Sequence, residues 1–482
     1  MNRNIYRILL SLAFTGLFFT GCKKWDNHIA LTDGQVGKDL LQQIKENAEL
    51  SKFAELLTKS GYDKVIASSK TYTVFAPTNT ALATLDPAVV ADSAKLSMFV
   101  GNHITNQAYQ TTSAPGQLRL RMLNGKYNNM QGKMLEDANI SGADKYAKNG
   151  FLHIIDKLVP ALPNAWEFLE TSALAPAKHK NYLLSQFRNV FDRTKAIQIG
   201  VDPNTGEPIY QPGTDSVRTN LFWRNVYDLR DESQQYTFFM LADAAWDAEV
   251  NKFKPFFATG SVDSTTNLSS EAVAKDLAIQ GIYQPGSAAV DTILSKFNVK
   301  VGIQKSAIVQ TIKVSNGVVH IISSMNVLPR HKFQQYIIEG ENYDFTKEDK
   351  RGNTFFRDKL NPVTGKVFRD VVVENHGVSE FYLGYRLSNI PALKFKAYWV
   401  AVNDRINNFT GTHQQKLSIG TPTSPVLPYV TVAQNNYNEV YLGEFTLAKF
   451  NPSLFVFVTG ANSTNRDQGK ITIDYIRLEP VL

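Results

Sequence analysis

At 482 residues, with 43% hydrophobic and 20% charged side chains, the chain exceeds one ordinary hydrophobic core and reads as about three globular domains. Its formal charge of +7 is spread without a Lys/Arg block or stripe, which excludes the usual footprint of a nucleic-acid binder. The single cysteine, Cys22, excludes a disulfide within the chain, so stability has to come from packed cores.

The chain opens on a polar stretch holding Arg3 and Arg7, followed by an apolar run from Ile8 to Phe19 and then Thr20-Gly21-Cys22. A helix over that run rises about 18 Å, short of the ~30 Å hydrocarbon core of a bilayer. Residues 1–21 are therefore expected to be a signal peptide rather than a membrane span. The small residue before Cys22 resembles the bacterial lipobox, although Phe19 stands where Leu is usual. That resemblance implies cleavage before Cys22, acylation of its thiol and a lipidated tether over 22–33. Each buried acyl methylene contributes about 0.8 kcal/mol, so a multiply acylated Cys22 would hold the protein on a membrane.

Next comes a helical pattern, with Leu40, Leu41, Ile44, Leu50, Phe53, Leu56 and Leu57 at helical spacing and a glycine stop at Gly61. A long-range recurrence follows. YTVFAPTNTAL starts at Tyr72 and YTFFMLADAAW at Tyr236; NGFLHIIDKLVP starts at Asn149 and NGVVHIISSMNVLP at Asn316. The same two markers, in the same order and at nearly the same separation, predict two copies of one domain. Both Tyr-Thr-x-Phe runs read as buried strands, with Pro77 ending the first and Thr78 capping the next helix. Asn316-Gly317 reads as a type I′ hairpin turn, and Asn149-Gly150 as the entry to the matching strand of the first copy; in both copies the strand after the turn reads as covered on both faces.

YTVFAPTNTAL, FVGNHI around His103 and NGFLHIIDKLVP together resemble the fasciclin domain family over residues 34–162. Residues 163–331 resemble a degenerate second copy. It has Ala242-Asp243 in place of Pro-Thr, no evident counterpart of His103, and an inserted Pro/Gly-rich stretch from Asp202 to Ser216. The resemblance implies a compact β-wedge with flanking helices, and it raises His103 as a candidate adhesion-surface residue. His153 and His320, at equivalent places among apolar neighbours, are expected to be core histidines.

From residue 332 to 482 helical periodicity disappears. Short strand-like runs (Val371–Val373, Phe395–Val402, Val440–Leu447, Leu454–Val458, Ile471–Leu478) alternate with turn clusters, which predicts an all-β sandwich. YIIEGENY from Tyr336, and the closing run through ITIDYIRLEP, resemble the galactose-binding-like jelly rolls of carbohydrate-binding modules. Carried over, that resemblance implies a structural calcium on Glu339, Glu341 and Asp474, with strand alternation placing the two glutamates on one face. It also implies a ligand-binding end at Asn462 and Asn465. Trp399 is the candidate aromatic plate, although of Tyr398 and Trp399 only one can face a given side.

The expected fold class is α+β: two tandem fasciclin-like β-wedges with flanking helices, then a jelly roll. The architecture resembles the fasciclin outer-membrane lipoproteins of Bacteroidota. That implies a surface-exposed, non-catalytic protein for adhesion or glycan binding, held by acylated Cys22, with a glycan or outer-membrane protein as partner, no nucleic acid and no required cofactor. An accessory subunit of a starch-utilisation-type TonB-dependent importer is the alternative. A polysaccharide hydrolase is remote, because neither resemblance supplies the paired carboxylates such chemistry needs.

Overall fold

The computed structural model describes residues 37–482 except 69, 285, 287–289, 405–410 and 424–426. The signal peptide, Cys22 and the tether lie outside the described residues. The chain divides into two compact units, the first through Thr171 together with 229–235 and 313–317, the second comprising 172–228, 236–312 and 318–482.

In the first unit the expected long helix is three pieces: Leu40–Glu46, a 3-10 turn at Ala48–Leu50, and Ser51–Ser60. Asn47 breaks it, because its side-chain oxygen accepts from Glu49 N–H at 3.0 Å and starts a new turn. The apolar face survives the break, with Leu40, Ile44, Leu50, Phe53 and Leu57 fully buried. Gly61 stops the helix in the left-handed region at φ 78°. The strand Tyr72–Pro77 is buried at every residue. It lies between Ile104–Thr105, antiparallel, and Gly150–Ile155, parallel, so neither edge nor face meets water. Thr78 caps the next helix as its sequence predicts, accepting from Ala81 N–H at 3.2 Å.

The two copies share more than sequence markers; they repeat individual hydrogen bonds. Asn149 Oδ1 accepts from Leu40 N–H at 2.9 Å while its amide donates to Ile66 O at 2.6 Å. Asn316 Oδ1 accepts from Ala165 N–H at 2.9 Å and its amide donates to Leu229 O at 2.8 Å. Both helices served in this way begin with a reciprocal capping box, Asp39 with Gln42 and Asn164 with Glu167. Within the strands, Thr73 Oγ1 donates to Gln107 O and accepts from Tyr109 N–H; Thr237 Oγ1 does the same with Gly281 O and Tyr283 N–H. Phe75 N–H donates to His103 O, and Phe239 N–H to Leu277 O, each at 2.8 Å. Leu277 is thus the residue standing where the second copy lacks its histidine.

In the second copy the turn is Ser315-Asn316, one residue earlier than predicted, and Gly317 opens the strand; in the first, Gly150 enters its strand as predicted. Ala147 pairs with Gly150, so Lys148 and Asn149 make the turn and the glycine opens the strand. The glycine is needed there for approach: a Cβ on Gly150, at φ 144°, would stand 1.7 Å from Tyr72 O.

In the second unit the strand Tyr236–Leu241 again sits between neighbours, in the order Ala278–Gln280, Tyr236–Leu241, Gly317–Ile322, Ile308–Val314. The insertion builds a small hairpin, Gln198–Val201 with Pro208–Tyr210. The C-terminal part is a sandwich. Its four-stranded sheet runs Tyr336–Glu339, Tyr475–Val481, Lys394–Val400, Val440–Thr446. Facing it is a sheet of Phe345–Thr346, Tyr382–Ile390, Asn451–Gly460, His413–Ile419 and Val430–Val432. The predicted last strand is two, Ile471–Ile473 and Tyr475–Val481, because the chain changes sheets at Asp474.

Asn316 is fully buried, so Asn316→Ala would strand the Ala165 N–H and the Leu229 carbonyl. Urea denaturation is expected to show a loss of about 3 kcal/mol, from two unsatisfied groups at roughly 1–3 kcal/mol each.

Candidate functional site

His103 is not on a surface. It is fully buried, its Nδ1 lies 2.8 Å from Phe99 O, and Val159 N–H donates to its Nε2 at 3.4 Å. Burial pushes its pKa down to about 4, so the ring is a neutral pin between a helix end and the loop after the strand Gly150–Ile155. The adhesion role expected of it is corrected on that ground. His153 and His320 are core residues as expected, stacked on Phe75 and Phe239 at 5.0 and 5.3 Å. His179, which the sequence pattern does not single out, stacks on Trp246 at 4.6 Å, and neither of its ring nitrogens has a hydrogen-bond partner.

The three acids named for calcium stand within electrostatic reach of one another, but not as a strand face. The first strand of the sandwich ends at Glu339, and Glu341 lies in the turn beyond it. Gly340 between them presses on the sheet-switching residue: its N–H donates to Asp474 O at 2.5 Å, and a Cβ there would sit 2.3 Å from Ile473 O. Asp474 is buried, and desolvation, followed by the charges of Glu339, Asp370 and Glu341, pushes its carboxyl up to about 7. Burial and then Glu341 also push Glu339 upward, and one Glu341 carboxylate oxygen is buried without a hydrogen-bond partner. Among the described residues no three such side chains already stand in metal-ligand geometry. A calcium on Glu339, Glu341 and Asp474 would therefore need the three carboxylates to close in from these positions, since the ion takes its oxygens at about 2.3–2.6 Å.

Trp399 is 1% exposed and belongs to the sandwich core, so the aromatic plate expected there is corrected. Alternation turns Trp399 inward and Tyr398 outward. Asn462 is exposed, but its side-chain oxygen accepts from Ser379 Oγ. The Asn465 side-chain oxygen is taken by its own loop, accepting from Asp467 N–H at 3.0 Å. The loop end and Trp399 do not come together as one site.

The outer face of the four-stranded sheet carries a different set. Tyr398 pairs across the strands with Tyr441 on one side and Arg477 on the other, and Arg477 pairs with Ile337. Tyr441 is 52% exposed, its ring centroid 5.4 Å from that of Tyr398. The Arg477 guanidinium lies 4.0 Å from the Tyr398 ring centre, fixed by Glu439 at 2.7 Å and Glu479 at 2.6 Å. The Tyr475 hydroxyl also donates to Glu439, at 3.0 Å. The sequence signal for this face is the period-two spacing of Tyr475, Arg477 and Glu479, readable only once the sheet's neighbours are known.

Among other hollows, an open polar one of about 560 Å³ lies among Gln43, Glu46, Asp144 and Tyr146, and one of about 240 Å³ among Tyr182, Phe222, Glu271 and Phe297 falls below the usual range for a drug-sized ligand.

Because the folded Asp474 carboxyl binds its proton more tightly than the unfolded one, its contribution to stability is full below about pH 4 and is lost as pH rises through about 7. In chelator, thermal denaturation from pH 4 to 8 should show the wild type losing stability relative to Asp474→Asn. Calcium at pH 8 should restore the wild type and leave the variant unchanged.

Comparison with known proteins bears on the first copy. Residues 48–160 match the fasciclin domain family model. No curated protein matches the chain. Among solved structures, a fasciclin-domain pair from the insect cell adhesion molecule fasciclin I aligns over 59% of this chain and 99% of its own, at 15% identity and TM-score 0.23. A family 35 carbohydrate-binding module from Clostridium thermocellum aligns over 31% of this chain and 100% of its own, at 12% identity and TM-score 0.22. A family 6 module from Clostridium stercorarium, solved with cellobiose, aligns over 30% and 94% at 13% identity and TM-score 0.19. At such TM-scores these likenesses carry no functional argument. Residues 48–160 thus match a fasciclin domain, and the segment after it repeats that core's hydrogen bonds.

Proposed function

We propose that this chain is a non-catalytic binding protein, tethered to an outer membrane through acylated Cys22 and facing the cell exterior, that serves adhesion or glycan binding. The observation that supports it best is the use made of the histidines. His103, His153 and His320 are spent on backbone bonds and ring stacking, and His103 is held neutral, so the side chains best suited to acid–base chemistry serve the core. A fasciclin domain followed by a β-sandwich fits binding through surfaces. The apolar run Ile8–Phe19 before Thr20-Gly21-Cys22 supports the tether.

The importer-subunit reading separates from this one by what the protein needs. Isothermal titration of the folded chain across a polysaccharide panel should give heat if glycan is the ligand. Silence across the panel, together with co-purification of an outer-membrane β-barrel, would favour the subunit reading instead. For the tether, Cys22→Ser should abolish incorporation of labelled palmitate and move the protein from the membrane pellet to the soluble fraction. A variant that stays in the pellet would remove Cys22 as the anchor.

A further inference from the structure

We infer that Lys332 and Asp276 condense to an isopeptide bond, which locks the last segment of the second fasciclin-like copy onto the core of that copy. The bond needs no ligand and goes beyond the binding reading above.

The two side chains meet in a dry place. The Lys332 ammonium contacts the Asp276 carboxylate although the residues lie 56 positions apart, and the side chains are only 4% and 0% exposed. A buried ion pair is stable when further hydrogen bonds satisfy its remaining lone pairs. Here Asp276 Oδ1 is buried without any such partner. The Lys332 nitrogen is held in place, donating to Ala272 O near the end of the helix Val262–Ala274. It lies 5.0 Å from the centre of the buried Phe253 ring. One turn back along the helix Asp243–Phe253, on the same face as Phe253, stands Glu249, also buried. Burial pushes the Lys332 ammonium down, toward the neutral amine. It pushes the Glu249 carboxyl up, toward the neutral acid, although Lys252 stands 2.6 Å away.

Amide formation uses these groups in turn. A proton passes within the buried pair and leaves the Lys332 amine beside the Asp276 acid. The Nζ lone pair attacks Asp276 Cγ and a C–N bond forms. Glu249 protonates one hydroxyl on that carbon, the C–O bond breaks and water leaves. The proton shed by the nitrogen returns to Glu249, so the acid is regenerated and nothing else is consumed. Groups fixed in contact react at effective molarities up to about 10⁵–10⁸ M, which offsets the preference of bulk water for the free acid and amine. The product amide keeps one N–H for Ala272 O and leaves neither charge of the pair in the interior. It also encloses the strands Ala278–Gln280, Ile308–Val314 and Gly317–Ile322 between its two ends. Tension arriving from the sandwich through Lys332 would pass directly to Asp276 and leave those strands unloaded.

The test is intact mass and peptide mapping of the full chain in detergent, beside Lys332→Arg and Glu249→Gln. Relative to Lys332→Arg, with the substitution allowed for, the wild type should be lighter by one water, a difference in which any acyl chains cancel. Trypsin should release a branched peptide joining the segment that begins at Asp276 to one running uncut through Lys332. Glu249→Gln should keep its circular dichroism but give only the unbranched peptides and melt below the wild type. A folded wild type of full mass, cut normally at Lys332, overturns the bond. A missing water that maps to Asp276 alone, as a cyclic imide with Leu277, overturns it equally. A branched peptide persisting in Glu249→Gln overturns the role given to Glu249 and leaves the bond standing.

Discussion

A primary carboxamide has one donor group and one acceptor on the same short, rigid plane, and both fasciclin-like cores hang on that fact. Asn149 holds a helix start on its oxygen and the end of the following helical segment on its nitrogen, joining residues 109 and 83 positions apart in the chain. Asn316 joins the matching pieces of the second copy. No hydrophobic side chain could replace it, because burial alone does not fix a register, whereas a donor and an acceptor left open in a dry interior each carry a penalty. The adjacent glycine is forced by the same closure. The strand must come so near Tyr72 that a side chain at residue 150 has no room.

The sandwich obeys a related constraint at its own seam. The chain leaves a three-stranded sheet of Thr354–Leu360, Val367–Val373 and Ile471–Ile473 and enters the four-stranded sheet at Asp474, and Gly340 lets the first strand press against that corner. The consequence is electrostatic. Three carboxylates are brought into a partly dry corner, and Asp474 responds by holding its proton to about pH 7. A raised carboxyl pKa is how the corner relieves that crowding, since the protonated acid carries no charge against Glu339, Asp370 and Glu341. Tyr385, whose hydroxyl donates to Gly340 O at 2.9 Å, holds the turn from the core side.

How much of this the sequence shows depends on the range of the interaction. The duplicated core is legible because its strands are covered on both faces, and that forces unbroken apolar runs such as Tyr72–Pro77. The helix break at Asn47 and the one-residue offset of the second hairpin turn are not, since each depends on a few ångströms of backbone approach. The site is legible only in part. Glu339, Glu341 and Asp474 come within electrostatic reach of one another but not into metal-ligand geometry, and their placement follows from Gly340 and not from alternation along one strand. Trp399 and Tyr398 differ by one position, and an apolar-looking strand does not say which of them faces out. His103 misleads for a different reason: a polar ring satisfied by a backbone carbonyl and an amide has no signature of its own in sequence.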